Sequence, residues 1–247
     1  TESIAISFDT NTAGSFVIAY RDSADSGKGT AIVGTLSGTS VSFGSEVVFS
    51  AGNYSDWISI AFEPNTANKF VVSYTDYSNN GYGTVSVGTV SGTSASFVTA
   101  VVFNSATSAR TKISFDPNDS DSFVVSYNDS GNSNYFTVIL GTLSGTTASF
   151  GSSYVMNVGA GIAYSSPSFN TVAAGQFILA YRDLGNSSKG TVRLGQLSTT
   201  SANLTATNFL GTSTDAYTNS QTATIMLQGG VSTNQTGLTV ASTYYVQ

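Results

Sequence analysis

Short runs of Val, Ile, Phe, Tyr and Thr alternate along the chain with clusters of Gly, Asn, Asp and Ser. The first group of residues suits pleated, half-buried strands, and the second group is typical of turns. No useful length of chain has the 3.6-residue spacing of apolar positions that an amphipathic helix requires. The pattern therefore predicts an all-β protein built from many short strands.

Two sequence anchors recur with a common spacing. The first is Tyr-x-Asp, whose aspartates, spaced 54, 53 and 54 residues apart, are Asp22, Asp76, Asp129 and Asp183. The second is Gly-Thr-Leu/Val-Ser-Gly-Thr, which begins at Gly34, Gly88 and Gly141 and has decayed in the copy at Gly195. Two anchors with one period of 53–54 residues indicate a tandem repeat. We predict four repeats, which span residues 1–54, 55–108, 109–161 and 162–212.

Each repeat divides into four predicted strands, which in repeat 1 are residues 4–8, 16–20, 30–36 and 41–49. The second strand, Phe-Val-Ile-Ala-Tyr, is apolar on both alternating faces, so both sides must be covered. Four-stranded sheets stacked face to face around an axis provide this cover, which predicts a β-propeller-like array of antiparallel blades. A run of β-sandwiches or a linear array of small sheets is the alternative.

The repeat period ends after about residue 212, and residues 213–247 are predicted to begin a second small β module or stalk that is truncated here. In this segment Thr236-Gly237-Leu238-Thr239 precedes Tyr244-Tyr245-Val246. The module and the Ser-Gly-Thr-punctuated repeats before it resemble structural and tail-fibre-type proteins of bacteriophages. This resemblance implies a non-enzymatic virion domain, in a virion or extracellular location, with other virion subunits or a host-surface glycan or protein as partners. We expect the chain to be part of a longer polypeptide.

Composition limits the classes of partner. Hydrophobic residues make up 40% of the chain, enough to bury a core, whereas charged residues make up only 9%. A net charge of −6 without a basic stripe disfavours nucleic acid as a partner. No apolar run approaches the ~20 residues that a membrane-spanning helix needs, so no membrane insertion is expected.

The residue types that most hydrolases and metal sites use are missing, because the chain has neither histidine nor cysteine. This excludes Ser-His-Asp triads, His-ligated zinc and thiolate sites. The recurring aspartates end strand two in every repeat, where Asp accepts hydrogen bonds from backbone amides and begins turns. We therefore interpret Asp22, Asp76, Asp129 and Asp183 as structural turn residues rather than catalytic ones.

The sequence lacks the motifs of sialidase catalysis and of EF-hand calcium binding. Residues 7–14 are the nearest approach to the sialidase box Ser-x-Asp-x-Gly-x-Thr-Trp, and they do not match it. The oxygen-rich loops at residues 22–27 and 116–121 lack the EF-hand spacing for calcium. We therefore predict no enzyme, no cofactor and no metal, and a sialidase-like glycoside hydrolase is the least favoured alternative.

Aromatic residues concentrate at one predicted end of the repeats. In up-and-down sheets the loops after strands one and three form one end, here called the plain end, and the loops after strands two and four form the other. This second, aromatic end holds the residues predicted to form a binding or assembly face, namely Tyr54, Trp57, Tyr77, Tyr82, Tyr135, Tyr164 and Tyr217. Exposed aromatic residues among polar neighbours are typical of carbohydrate- or protein-recognition surfaces. Trp57 and Tyr164 can instead begin strand one and pack inward, whereas Tyr77, Tyr82 and Tyr135 are expected to be exposed.

These observations favour a virion structural or adhesion domain, in a tail fibre or similar appendage, that binds a host surface or neighbouring subunits. The alternative is a carbohydrate-binding propeller lectin of a cellular organism. Self-association is left open by the sequence.

Overall fold

The computed structural model describes residues 2–50, 52, 54–158, 162–197, 211–213 and 225–227. It confirms the all-β prediction, because the described elements are antiparallel strands and three short 3-10 turns. The chain divides into two compact units, Thr1–Leu197 and Ser198–Gln247. The predicted fourth strand of repeat 4 and most of residues 213–247 lie outside the described residues.

The strands follow the predicted order of four per repeat through repeat 3. Their bounds are β1 Glu2–Phe8, β2 Ser15–Asp22, β3 Lys28–Ser37, β4 Ser40–Ser50, β5 Ser55–Phe62, β6 Lys69–Asp76, β7 Tyr82–Ser91, β8 Ser94–Phe97, β9 Val101–Phe115, β10 Ser122–Asp129, β11 Tyr135–Ser144, β12 Thr147–Asn157, β13 Ile162–Phe169, β14 Gln176–Asp183, β15 Lys189–Gln196, β16 Gly211–Ser213 and β17 Ile225–Leu227. The 3-10 turns are Ser23–Asp25, Tyr77–Asn79 and Ser130–Asn132, and each follows strand two of its repeat.

The sheets are antiparallel ladders of sequential strands. Repeat 1 forms the sheet β1-β2-β3-β4, and repeat 4 forms β13-β14-β15. Repeats 2 and 3 share one sheet, in the order β12-β11-β10-β9-β7-β6-β5 with β8 beside β7. They share it because β9 pairs first with β7 and then with β10. Strand four of repeat 2 is thus divided between β8 and the first part of β9. In the second unit, β16 and β17 form a two-stranded sheet.

Consecutive repeats pack face to face, and we call the face toward the preceding repeat the leading face and the opposite one the trailing face. In β6, Phe70, Val72 and Tyr74 on the leading face join the apolar cluster with repeat 1. Val71 on the trailing face joins the cluster with repeat 3. Both sides of this strand are buried, as its two-sided apolar pattern predicts. Burial of each such side chain stabilises the fold by about 1.5–3 kcal/mol.

The Gly-Thr-Leu/Val-Ser-Gly-Thr anchor is explained by packing and by a turn. Gly88 pairs in register with Phe70, and a Cβ at Gly88 would lie 2.3 Å from the Phe70 ring. The first glycine of the anchor therefore makes room for the phenylalanine ring of strand two. The second glycine, Gly92, has a φ of +60° in the hairpin after strand three, a conformation that glycine adopts without strain.

The first strands of the four repeats lie together at one edge of the packed sheets. They line a cavity of about 280 Å³, to which they contribute Phe8, Phe62, Phe115 and Phe169. Serine hydroxyls join neighbouring first strands, since the Oγ of Ser59 accepts a hydrogen bond from the Ile113 amide at 3.3 Å. Residues of all four first strands therefore line one shared cavity.

Candidate binding face

The four turn aspartates hold the loops after strand two. Asp22, Asp76 and Asp129 precede the 3-10 turns, and each accepts a hydrogen bond from the amide two residues ahead. Asp183 accepts the Gly185 amide at 2.9 Å in the same way. Because one such carboxylate closes the same turn in every repeat, its recurrence follows from the architecture.

A second acidic position recurs with the same period and was not predicted from the sequence. It follows strand one at the plain end and is occupied by Asp9, Glu63, Asp116 and, in repeat 4, Asn170. Asp9 accepts the Asn11 amide in its own loop and the Asn68 amide in the next repeat, both at 2.8 Å. Asp116 likewise accepts the amides of Asn118 and Gly175. Asp9 and Asp116 therefore connect the loops of neighbouring repeats, whereas Glu63 accepts the Asn65 amide of its own loop at 2.9 Å. The common spacing of the four positions was the available signal.

At the aromatic end, each first strand contains a β-bulge. In β5, Asp56 pairs with Thr75 and Ser59 pairs with Ser73, so one extra residue is inserted. The repeat-equivalent residues at these bulges are Ser3, Trp57, Arg110 and Tyr164, with φ values of 49°, 51°, 58° and 54°. A positive φ is uncommon for bulky residues, and a bulge of this kind redirects a side chain away from the sheet.

The bulges expose Trp57 and Tyr164, so the alternative in which these two residues pack inward is wrong. Trp57 is 37% exposed and Tyr164 is 79% exposed. The backbone of Trp57 is held on both sides, because its amide donates to the Asp56 carboxylate at 2.8 Å and its carbonyl accepts from the Thr111 hydroxyl at 2.6 Å. The guanidinium carbon of Arg110 lies 5.2 Å from the Trp57 ring centroid. This cation–π contact restrains the orientation of the Trp57 indole ring.

Tyr54 and Tyr77 form an aromatic pair between repeats 1 and 2. Their ring centroids are 5.1 Å apart in an edge-to-face arrangement, and the Tyr77 amide donates to the Tyr54 carbonyl at 3.0 Å. Arg21 lies 4.4 Å from the Tyr54 centroid and forms an ion pair with Asp56 at 3.6 Å. Both tyrosines remain exposed. Arginine therefore supports an exposed ring in this pair, as it does beside Trp57.

The other predicted members of the aromatic end differ in position. Tyr82 and Tyr135 are the first residues of β7 and β11 and are half-buried, so the expectation that they are more exposed than Trp57 and Tyr164 is wrong. Each pairs across the sheet with a turn aspartate, Tyr82 with Asp76 and Tyr135 with Asp129. Tyr217 lies outside the described residues.

The oxygen-rich loop at residues 116–121 divides its carboxylates among separate partners. Asp116 accepts backbone amides, Asp119 accepts the Ser122 hydroxyl at 2.8 Å, and Asp121 forms an ion pair with Lys69. Within the described ranges, no group of three or more acidic side chains is placed to hold a metal ion. The lining of the shared cavity contains no acidic residue.

Among the described residues, no helix has the length and apolar character needed to cross a membrane.

Comparisons with known proteins find matches among solved structures. No family model and no curated protein matches the chain. Among solved structures, Sqt1 from Chaetomium thermophilum is similar with a TM-score of 0.49 and 13% sequence identity. The match covers 73% of this chain and 42% of that chain, so this chain corresponds to less than half of that protein.

Proposed function

We propose that the repeats form a β-propeller-like, non-catalytic binding module whose aromatic end binds carbohydrate. The observation that carries the proposal is the pair of exposed rings, Trp57 and Tyr164, at equivalent bulges of the first strands. Sugars present flat apolar faces and hydroxyl rims, which aromatic rings with polar neighbours accommodate. The face-to-face packing of the repeats around a shared cavity supports the propeller-like arrangement over a linear array of sheets.

The polar groups of the face suit a sugar ligand. Asp56 and Arg110 are half-buried charged groups beside the exposed rings, whereas the side chain of Arg21 is only 11% exposed and supports Tyr54 through its cation–π contact. Their contacts with Tyr54 and Trp57 restrain the rings before a ligand arrives. Restraint of this kind lowers the entropy cost of binding.

The role of a phage tail-fibre or similar virion adhesion domain is part of the proposal and rests on the sequence resemblance alone. An extracellular lectin of a cellular organism would use the same face in the same way. The identity of the bound glycan distinguishes the two, since a tail fibre recognises bacterial surface polysaccharides.

The test is a glycan array that includes bacterial surface polysaccharides, probed with the full chain and with aromatic variants. We expect binding to a restricted set of glycans, and a loss of about 2 kcal/mol, or roughly thirtyfold in affinity, for Trp57→Ala. Tyr154→Ala is the matched control, because Tyr154 is an exposed ring on β12 away from the bulges. The absence of glycan binding, or equal losses for Trp57→Ala and Tyr154→Ala, would contradict the proposal.

A further inference from the structure

Arg110 is a cation of the aromatic end that no described acidic side chain neutralises. It occupies the bulge of β9, in the repeat between those of Trp57 and Tyr164. Among the described residues, three lysine or arginine side chains form ion pairs with aspartates, and Arg110 is not one of them. Its guanidinium is half-buried and lies against the ring of Trp57. This guanidinium is therefore available to an anion from outside the chain.

The arginine at the contact between repeats 1 and 2 shows the opposite arrangement. Arg21 also lies against an exposed ring, that of Tyr54, but it forms an ion pair with Asp56 at 3.6 Å. Both arginines support an aromatic ring. Among the described residues, however, the positive charge of Arg21 is compensated by a carboxylate and that of Arg110 is not.

A second cation without an acidic partner among the described residues lies on the same strand. Lys112 is half-buried two residues beyond Arg110 on β9, and this strand contains no acidic residue. Burial lowers the pKa of Lys112 from its usual value. The equivalent positions in the other repeats are uncharged, namely Ala5, Ser59 and Ser166. Positive charge is therefore concentrated on the first strand of repeat 3, in a chain whose 14 acidic residues outnumber its 8 basic ones.

The bulges of repeats 2, 3 and 4 form a continuous row. The Thr111 hydroxyl donates to the Trp57 carbonyl at 2.6 Å, and the Asn128 side chain donates to the Ile162 carbonyl at 3.0 Å, so each repeat contacts the next near its bulge. Packed sheets lie about 10 Å apart, which places Trp57 and Tyr164, two repeats apart, up to about 20 Å from each other. One sugar ring cannot contact both residues, whereas a short chain of sugars can pass from one to the other across the bulge of β9.

We infer that the aromatic end binds an oligosaccharide that carries carboxylates, with one carboxylate paired with Arg110 between ring contacts at Trp57 and Tyr164. This inference rests on the proposed function, because it names the class of glycan bound at the same face. A guanidinium offers two parallel N–H donors to a carboxylate, and the contact with Trp57 already restrains this guanidinium. Lys112 adds a second positive charge on the same strand. Oligosaccharides that contain uronic acids have the matching chemistry.

The test is isothermal titration calorimetry of the full chain with two ligands that differ only in charge. One is a uronic-acid hexasaccharide from bacterial surface polysaccharides, and the other is the same hexasaccharide after reduction of its carboxylates to alcohols. The wild type is expected to bind the acidic form roughly tenfold more tightly. Arg110→Gln should remove most of this preference. Loss of support for Trp57 affects both ligands alike, so the ratio of the two affinities isolates the charge contact.

Two further variants make the charge assignment specific. Arg193→Gln is the matched control, because it removes the same charge from an exposed position on β15, away from the bulges, and should leave the preference unchanged. Lys112→Gln does not alter the contact between Arg110 and Trp57 and should lower the preference by a smaller factor, roughly twofold. Retained binding of the reduced hexasaccharide shows that a variant is folded.

The outcomes separate this inference from the function on which it rests. Equal affinity of the wild type for the acidic and the reduced hexasaccharide, or an unchanged preference in both Arg110→Gln and Lys112→Gln, would overturn the inference and leave glycan binding intact. A complete absence of glycan binding would instead contradict the proposed function.

Chain length provides a second measurement of the same contact. An acidic disaccharide is expected to bind more weakly than the hexasaccharide, because it cannot contact both rings. Tyr164→Ala should therefore weaken binding of the hexasaccharide and leave binding of the disaccharide unchanged. Equal affinity for the two lengths would overturn a ligand that contacts Trp57 and Tyr164 together.

Discussion

The plain end and the aromatic end of the array are built from the same strands, but their side chains have different roles. At the plain end, three of the four equivalent positions carry a buried carboxylate, Asp9, Glu63 or Asp116, and the fourth carries Asn170, and all four side chains accept backbone amides. At the aromatic end, the equivalent bulge positions carry four different residues, one of which is Trp57 and another Tyr164. Uniform residues at a repeated position indicate a structural requirement that every repeat shares. Differing residues in one backbone conformation indicate a position free to serve recognition.

The largest expected effect is on stability and comes from the plain end. Asp116→Ala removes a buried carboxylate and leaves the amides of Asn118 and Gly175 without their acceptor, which should cost about 3 kcal/mol of unfolding free energy. Urea unfolding measures this loss. Asp119→Ala in the same loop removes one acceptor of a side-chain hydroxyl and should cost less than about 1 kcal/mol. Equal losses of unfolding free energy for both variants would contradict the structural role that we assign to Asp116 and its equivalents.

The next effect appears at alkaline pH and concerns the buried tyrosine of the Tyr-x-Asp anchor. Burial raises the pKa of Tyr74 from 10.0 to about 12. Tyr74 therefore deprotonates at a lower pH in the unfolded chain than in the folded protein. Its contribution to the free energy of unfolding is fully present below pH 10 and falls as the pH rises toward 12. The loss from this group is about 2–3 kcal/mol across that window.

Chemical denaturation at a series of alkaline pH values measures this decline. Tyr74→Phe should make it shallower, although part of it remains because burial also raises the pKa of Tyr20 and Tyr127. Tyr154→Phe, at an exposed position, is the matched control. An unchanged slope in Tyr74→Phe would contradict the assignment.

The smallest effect is expected from Arg110, which supports Trp57 at the aromatic end. Arg110→Ala removes a cation–π contact worth about 0.5–1 kcal/mol and should lower glycan affinity two- to fivefold without a comparable loss of stability. Arg110→Lys keeps the positive charge and should recover part of the affinity. Calorimetric titration of both variants distinguishes this result from a loss of folding, in which stability and affinity would fall together.

Much of the fold could be predicted from the sequence because the repeat leaves two independent anchors. The tyrosine and aspartate of Tyr-x-Asp mark the end of strand two. The glycine at positions such as Gly88 indicates where the ring of the strand-two phenylalanine, here Phe70, packs across the sheet. The two-sided apolar pattern of strand two also predicts that sheets cover it on both sides. The sharing of β9 between repeats 2 and 3 leaves no comparable signal, because a continuous strand and two separate strands have the same alternation.

The candidate site was less predictable for a physical reason. The bulge is defined by one extra residue in the strand register and by a residue with left-handed backbone angles. No single residue type marks this position in the sequence, because Ser3, Trp57 and Arg110 have chemically different side chains. The loop topology predicted from the sequence placed these aromatic residues at one end of the repeats but ranked their exposure incorrectly. Tyr82 and Tyr135 follow polar turns, yet they pair in register with the turn aspartates as strand residues.

The central claim, that the aromatic end binds carbohydrate, is tested most directly by the fluorescence of Trp57. The chain has one tryptophan, so its emission reports on this face alone. Titration of the full chain with oligosaccharides prepared from bacterial surface polysaccharides is expected to give a saturable change in Trp57 emission. The ligand should also protect the indole from acrylamide quenching, and Tyr164→Ala should weaken both effects. Glycan binding that leaves the emission and the quenching of Trp57 unchanged would contradict the account.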